Sequence, residues 1–113
     1  MEKQPLDKII EKLEKLDIRG WQYEYERNHE FPSGCNFLIT KTSGLTVYLY
    51  KERGCIPTPY CLKFTNEGGK DELSYGSKKE RELVKKFYEK TYELYNKHKT
   101  EEFQEKLNNF LSD

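Results

Sequence analysis

The residues best suited to chemistry in this chain are three cysteines and one histidine: Cys35, Cys55, Cys61 and His29. Together they could form a Cys₃His zinc site. Structural zinc ligands usually occur in close pairs, about two to four residues apart, whereas five residues separate Cys55 from Cys61. This spacing favours reduced, half-buried thiols, with a reversible disulfide between Cys55 and Cys61 as the alternative. We therefore predict no metal site and no cofactor.

A cysteine nucleophile is the second chemistry that these residues suggest. It would need Cys35 or Cys55 within hydrogen-bond reach of a base, which would be His29 or His98. No local motif selects such a pair. His98 continues the apolar face of a predicted helix, which is typical of a core or hinge histidine. We predict that the protein is not an enzyme and that it has no catalytic residues.

The composition indicates a single folded domain, residues 1–113. The 20 Lys and Arg residues balance the 20 Asp and Glu residues, so the net charge favours neither nucleic acid nor an anionic membrane. Only 35% of the residues are hydrophobic, but 14% are aromatic, which is more than disordered chains usually contain. The core is therefore predicted to be thin and rich in aromatic rings.

Three features of the sequence predict a cytoplasmic protein. No apolar run approaches the length that spans a membrane, and Met1–Pro5 contains no hydrophobic signal core. An odd number of cysteines fits a reducing compartment better than a disulfide framework.

The chain has no alanine and much more Lys than Arg, a usage associated with AT-rich genomes such as those of low-GC bacteria and their phages.

The clearest structural pattern is an antiparallel hairpin over Asn36–Lys51. A three-residue loop, Thr42–Gly44, would place its glycine where this loop type needs a left-handed backbone. The same loop would gather four apolar residues on one face of the hairpin: Phe37, Ile39, Val47 and Leu49. Leu38 and Tyr48 would then share the other face, because a shift of one residue reverses every side chain.

Two further strands flank the hairpin. Aromatic and polar residues alternate over Trp21–Glu26, and apolar and polar residues alternate over Tyr60–Thr65. Three loops are predicted between and after the strands, over Asn28–Gly34, Glu52–Pro59 and Asn66–Gly76.

Three helices complete the predicted elements. Apolar residues at helical spacing predict the first over Pro5–Leu16. A capping box, Ser77–Glu80, opens the second. Its apolar stripe loses phase near His98–Lys99, where a kink or break is predicted. The third helix would follow, bearing Phe103, Leu107, Phe110 and Leu111.

These elements predict an α+β fold in the order α-β-β-β-β-α-α: a four-stranded antiparallel sheet with its helices packed on one face. The uncovered face would present Leu38 and Tyr48, with Tyr50 and Phe31 nearby in sequence. Tyrosine is enriched at interfaces because it offers a large ring and a polar tip at low entropic cost. We predict that these four residues bind a protein partner.

A second candidate surface lies at the start of the long helix. Gly76-Ser77-Lys78-Lys79 opens this helix after a run of strands, an arrangement similar to that of double-stranded-RNA-binding domains. This resemblance implies that Lys78 and Lys79 contact phosphates. Lys86 and Lys90 extend the basic stripe, although a glutamate stripe beside it also fits an ordinary ion-paired surface. The chain differs from that family in its extra strand and in having no alanine-rich helix.

The leading functional hypothesis is a small, non-enzymatic, cytosolic protein-interaction module. One setting would be a phage or mobile-element accessory or inhibitor protein that binds a host protein through an aromatic-rich sheet face. The alternative is an RNA-binding module that uses Lys78, Lys79, Lys86 and Lys90. A third hypothesis places a ligand pocket between the first two loops. A homodimer is compatible with each of these, and no membrane partner is predicted.

Overall fold

The computed structural model describes residues 5–26, 35–51, 60–66 and 71–112. Two α-helices, α1 (Leu6–Glu14) and α2 (Arg81–Ser112), flank the strands, and a short 3-10 helix (Ile18–Gly20) follows α1. The strands are β1 (Gln22–Glu26), β2 (Cys35–Thr42), β3 (Leu45–Lys51), β4 (Tyr60–Asn66) and β5 (Glu72–Tyr75). They form one sheet in the order β1-β2-β3-β4-β5, and every neighbouring pair is antiparallel. The α+β class and the antiparallel sheet are confirmed.

The sheet has five strands rather than the predicted four, because the predicted loop Asn66–Gly76 contains β5. In β5, Leu73 pairs with Phe64 and Tyr75 pairs with Leu62. Tyr75 is buried in the core. The alternation that marks a strand spans only four residues here and stands among polar neighbours, so the sequence pattern predicts a loop.

The hairpin has a two-residue turn, so the predicted three-residue loop is wrong. Thr42 pairs with Leu45, and the residues between them, Ser43 and Gly44, have φ angles of 51° and 76°. Positive φ at both central positions is typical of the type I′ turn, whose twist matches that of the strands. Leu38 consequently lies opposite Leu49 and not beside Tyr48.

One polar residue, Thr40, lies on the buried face of the hairpin. Its burial explains why the predicted register of the hairpin is wrong. Thr40 is buried opposite Val47, and a threonine on the apolar face is unfavourable unless its hydroxyl is hydrogen-bonded. The Thr40 hydroxyl donates a hydrogen bond of 2.8 Å to the backbone carbonyl of Gly20. Because this bond satisfies the hydroxyl, the strand tolerates a threonine on its apolar side.

Both helices pack on the same face of the sheet. The core combines residues from α1, from the sheet and from the first half of α2: Leu6, Ile10, Leu13, Trp21, Leu38, Val47, Leu49, Leu62, Tyr75, Val84 and Phe87. Aromatic rings join α2 to the sheet, with ring centroids 6.2 Å apart for Trp21 and Phe87 and 5.5 Å apart for Tyr60 and Tyr88. The aromatic-rich core is as the composition predicts.

The second helix is continuous over its 32 residues, so the predicted break near His98–Lys99 is wrong. No Gly or Pro occurs between Arg81 and Ser112 to interrupt it. Glu102 supports this stretch, because its carboxylate lies 3.3 Å from His98 and 3.3 Å from Lys106, each four residues away. Because the helix is unbroken, the loss of phase near His98–Lys99 means that the apolar residues before and after this point lie on different sides of α2.

The start of α2 keeps one half of the predicted capping box. The Glu80 carboxylate accepts hydrogen bonds of 3.1 Å from the backbone N–H groups of Gly76 and Ser77.

Neither α-helix in the described part of the chain has the length and apolar character needed to cross a membrane.

Candidate interaction surfaces

The second half of α2 extends beyond the body of the protein. Core residues of the helix, Val84, Phe87 and Thr91, all belong to its first half, and every residue of 99–112 except Glu102 is exposed. A helix of this length spans about 48 Å, and the longest dimension of the molecule is 55 Å against 30 and 29 Å for the others. The helix therefore projects from a compact body.

The projecting part carries an apolar stripe, hereafter the projecting stripe. It consists of Phe103, Leu107, Phe110 and Leu111, which are 67%, 37%, 75% and 71% exposed. Their spacing of four, three and one residues places them on neighbouring turns of one side. At 100° per residue, this side is rotated roughly 150° from the side that Val84, Phe87 and Thr91 turn to the core. The stripe thus points away from the protein's own sheet.

Sequence reasoning identified these four apolar residues as a helix but not as a site. It assigned them to a separate third helix, which would have packed on the sheet. The loss of phase near His98–Lys99 was the available signal, because a stripe that rotates along a continuous helix cannot face a single core.

A second apolar surface lies at the hairpin end of the sheet, between α1 and the β4–β5 edge, hereafter the hairpin-end groove. Its volume is about 600 Å³. Apolar side chains make up most of its lining: Ile9, Leu13, Leu16, Leu45, Phe64 and Leu73. Lys12 borders it on the α1 side and Asp71 on the β5 side. An apolar floor with a few polar groups at the rim is typical of ligand and peptide sites.

The connection from α1 to β1 is fixed by a local ion pair. Arg19 Nη2 lies 2.6 Å from Asp17 Oδ2, and the Arg19 backbone N–H also donates to Asp17. The side-chain hydrogen bond from Arg19 is the main cause that lowers the pKa of Asp17 from 3.8 to about 2. This exposed pair lies in the short turn that precedes Trp21.

The face of the sheet opposite the helices, hereafter the reverse face, carries Tyr48, as predicted, and also Tyr50. Tyr48 is half-buried and packs edge-on against Phe37, with 5.4 Å between ring centroids. Tyr50 is also half-buried. Phe37 is only 2% exposed, and Lys63 on the same face is buried with its Nζ 3.3 Å from Glu72. The reverse face is therefore not a bare apolar surface.

Of the other two predicted partner-binding residues, Leu38 lies on the opposite face of the sheet from Tyr48. Phe31 lies outside the described residues. Leu38 is 0% exposed and belongs to the core, because the two-residue turn puts it on the helix-covered face. The structure therefore does not bring Leu38 together with Tyr48.

The lysines of the alternative nucleic-acid site are exposed but do not form one helical row. Lys78 and Lys79 lie in the turn before α2, and Lys86 and Lys90 lie on the helix. Lys90 Nζ is 2.9 Å from Glu14 Oε2, so this lysine links α2 to α1. Exposed glutamates at positions 82, 89 and 93 run beside the helical lysines, and they reduce the local positive charge.

The described residues bring together no set for metal or nucleophilic chemistry. Among them, no group of three His, Cys, Asp or Glu side chains has the geometry to hold a metal ion. His29, Cys55 and the side chain of Cys35 lie outside the described part. Cys61 lies on the reverse face, whereas His98 is on α2, across the sheet, where it contacts Glu102.

Comparisons with known proteins add no family to this picture. No protein-family model, curated protein or solved structure matches the chain. The resemblance to double-stranded-RNA-binding domains therefore rests on Gly76–Lys79 and the order of the elements alone.

Proposed function

We propose that this protein is a protein-interaction module that presents the projecting stripe as a preformed recognition helix. The observation that carries the proposal is the exposure of Phe103, Phe110 and Leu111, each more than two-thirds accessible to solvent. Soluble proteins rarely expose contiguous apolar side chains unless these contact a partner. Anchors spaced along one side of a helix are the usual elements of helix-in-groove recognition.

The apolar area that a partner could bury favours the projecting stripe over the reverse face as the binding site. Burying one large apolar side chain contributes about 1.5–3 kcal/mol, and a few such anchors carry most of the affinity of a typical interface. On the reverse face, Phe37 is already buried and Tyr48 is half-buried, so less apolar area is left for a partner. A helix that is already formed also loses little conformational entropy on binding.

Such a module would suit an accessory or inhibitor protein of a phage or mobile element that acts on a host protein. The alanine-free, lysine-rich composition is the support for this setting.

The experiment is quantitative affinity capture from the native host with three variants of equal fold. Phe103→Ser/Phe110→Ser removes two anchors and is expected to lose the captured protein. Leu94→Ser is the matched control, because Leu94 is an exposed leucine on the same helix, roughly 155° from the stripe. Tyr48→Ala reports on the reverse face. Loss of capture with Tyr48→Ala and not with the stripe variant would move the site to the sheet and overturn the proposal.

A further inference from the structure

Five tyrosine rings form a continuous row where α2 crosses the sheet, hereafter the tyrosine row. In order of contact they are Tyr60, Tyr88, Tyr92, Tyr23 and Tyr95, with 5.4 to 6.2 Å between the centroids of neighbouring rings. Tyr88 and Tyr92 are stacked, with 9° between their ring planes. All five residues are half-buried, so the row borders the core and each residue also keeps part of its surface in contact with solvent.

A lysine lies over the ring at each end of the tyrosine row. Lys51 Nζ is 5.8 Å from the ring centroid of Tyr60, and Lys99 Nζ is 5.6 Å from that of Tyr95. Lys99 also lies 3.8 Å from the Glu102 carboxylate, so part of its charge is already balanced. The row therefore begins and ends beside a cation.

Two further cations extend the row toward the start of α2. Spacings of four, three, four and three residues place one side of the helix under Arg81, Lys85, Tyr88, Tyr92 and Tyr95. Arg81 and Lys85 are half-buried, and neither forms an ion pair with a described residue. The Arg81 Nε atom is buried and has no hydrogen-bond partner in the described part of the chain. A half-buried cation without a partner favours an anionic ligand, because the anion supplies the charge and the acceptors that the protein lacks.

The side of α2 that carries this row is not covered by α1. Lys90, whose Nζ is 2.9 Å from Glu14 of α1, lies on the opposite side of α2, roughly 180° away at 100° per residue. The exposed glutamates at positions 82, 89 and 93 lie roughly 100° away from the row. Between Arg81 and Tyr95, this side of the helix therefore combines cations and aromatic rings without an acidic residue.

We propose that the tyrosine row, with Arg81 and Lys85, binds single-stranded nucleic acid. The inference goes beyond the proposed function and uses a different surface of the molecule. Single-strand sites combine cations that follow the phosphates with aromatic side chains on which bases stack. Arg81 and Lys85 would contact phosphates, and Tyr88 and Tyr92 would contact bases.

The combination of rings and cations favours this ligand over other anions. An acidic peptide offers charge without regularly spaced planar rings, and a duplex hides the faces of its bases in the stack. The row from Arg81 to Tyr95 is about 21 Å long. A strand with about 3.4 Å between stacked nucleotides would cover it with about six of them.

The first experiment measures fluorescence anisotropy of a labelled oligothymidylate of about twelve nucleotides at low salt. The wild type is expected to bind this strand. An abasic strand of the same length keeps the phosphates but has no bases, and it should bind roughly tenfold more weakly or worse. Equal binding of the two strands, or no binding of either, would overturn the proposal. A preference for a duplex of the same length would also overturn it and would favour Lys78, Lys79, Lys86 and Lys90.

The second experiment tests the two cations through the salt dependence of binding. Each phosphate contact on a single strand contributes about 0.7 to the slope of log K against log salt. Arg81→Gln/Lys85→Gln should therefore reduce the slope by about 1.4. Lys86→Gln/Lys97→Gln is the matched control, because it removes two exposed cations from the same helix roughly 150° from the row. An equal reduction by both double variants would indicate a general effect of charge and would overturn the assigned site.

The third experiment tests a ring of the row. Tyr88→Leu keeps an apolar side chain but removes the planar ring, and it should weaken binding of the oligothymidylate roughly tenfold. Tyr88→Phe keeps the ring and should bind like the wild type. Circular dichroism checks that both variants are folded. If Tyr88→Leu is folded and binds like the wild type, the proposal is overturned; if it does not fold, the abasic strand and the cation variants decide.

One further variant separates this inference from the proposed function. Phe103→Ser/Phe110→Ser should lose the captured host protein and still bind the oligothymidylate, because neither phenylalanine belongs to the tyrosine row. Loss of oligothymidylate binding in this variant would contradict the site proposed here. Failure of host capture with oligothymidylate binding intact would leave the nucleic-acid site standing without the recognition helix.

Discussion

The hydroxyl of Thr40 donates a hydrogen bond of 2.8 Å to the carbonyl oxygen of Gly20, which lies 20 residues earlier in the chain. The bond joins the middle of β2 to the 3-10 helix that leads into β1. It also makes the face of β2 that carries Leu38 and Thr40 suitable for burial. The register that places Leu38 on the buried face therefore includes one polar contact in the core.

Replacing Thr40 with Val should destabilise the fold although it makes the buried face more apolar. The change leaves the Gly20 carbonyl without its donor, at a cost of about 1–2 kcal/mol. Thr40→Ser is the matched control and should lose less, because it retains the hydroxyl. Midpoints of urea unfolding compare the two, and a Thr40→Val protein as stable as wild type would contradict the assigned role of this bond.

The turn of the hairpin makes a second prediction. Gly44 has a φ of 76°, so Gly44→Ala forces a side chain into the left-handed region and should cost about 1–2 kcal/mol. Ser43→Asn should instead stabilise slightly, since asparagine followed by glycine is the preferred type I′ pair. Thermal unfolding of both variants provides the measurement. With a three-residue loop, Ser43→Asn would bring no such gain.

The continuity of α2 can be tested at Thr100, which is exposed and directly follows the predicted break at His98–Lys99. Thr100→Pro removes a helical hydrogen bond and should reduce the helical circular dichroism signal. Since residues 99–112 contribute nothing to the core, the midpoint of global unfolding should stay nearly unchanged. Thr100→Ala is the control for helicity. An equal signal from the two variants would indicate that this part of the helix is not formed in solution.

The Asp17–Arg19 pair predicts a specific acid dependence. The pKa of Asp17 is lowered from 3.8 to about 2 in the folded protein, so the folded state holds this proton less tightly than the unfolded state. The stabilisation is therefore complete above about pH 4 and is lost as the pH falls toward 2. Asp17→Asn keeps a capping side chain but removes the charge. Its unfolding midpoint should fall less steeply than that of wild type across this interval.

The sequence predicted most elements of the fold because they follow simple periodicities. Alternation marked β1 and β4, the stripe of Leu6, Ile10 and Leu13 marked α1, and the central hairpin strands are where they were expected. Two predictions failed for different reasons: the predicted hairpin register kept the buried face wholly apolar, and the alternation of β5 spans only four residues. A hydrogen bond to the Gly20 carbonyl allows Thr40 to be buried, and pairing with β4 stabilises the short β5. Neither contact can be inferred from the sequence alone.

The candidate site was harder to predict than the fold. Tyr48 and Tyr50 do lie on the reverse face, but Leu38 changed sides with the register of the turn. Phe103, Leu107, Phe110 and Leu111 were assumed to cover the sheet, because an amphipathic helix usually finds its own core. Whether such a stripe reaches the core depends on where the helix axis leaves the body, which a periodicity does not encode.

The last 14 residues of α2 form an arm roughly 20 Å long that ends well clear of the sheet. Whatever attaches to the tip is held at a distance and touches little of the domain behind it. Tyr48 and Tyr50 would then stay accessible while the tip is engaged, so one molecule could bridge two others as a rigid spacer.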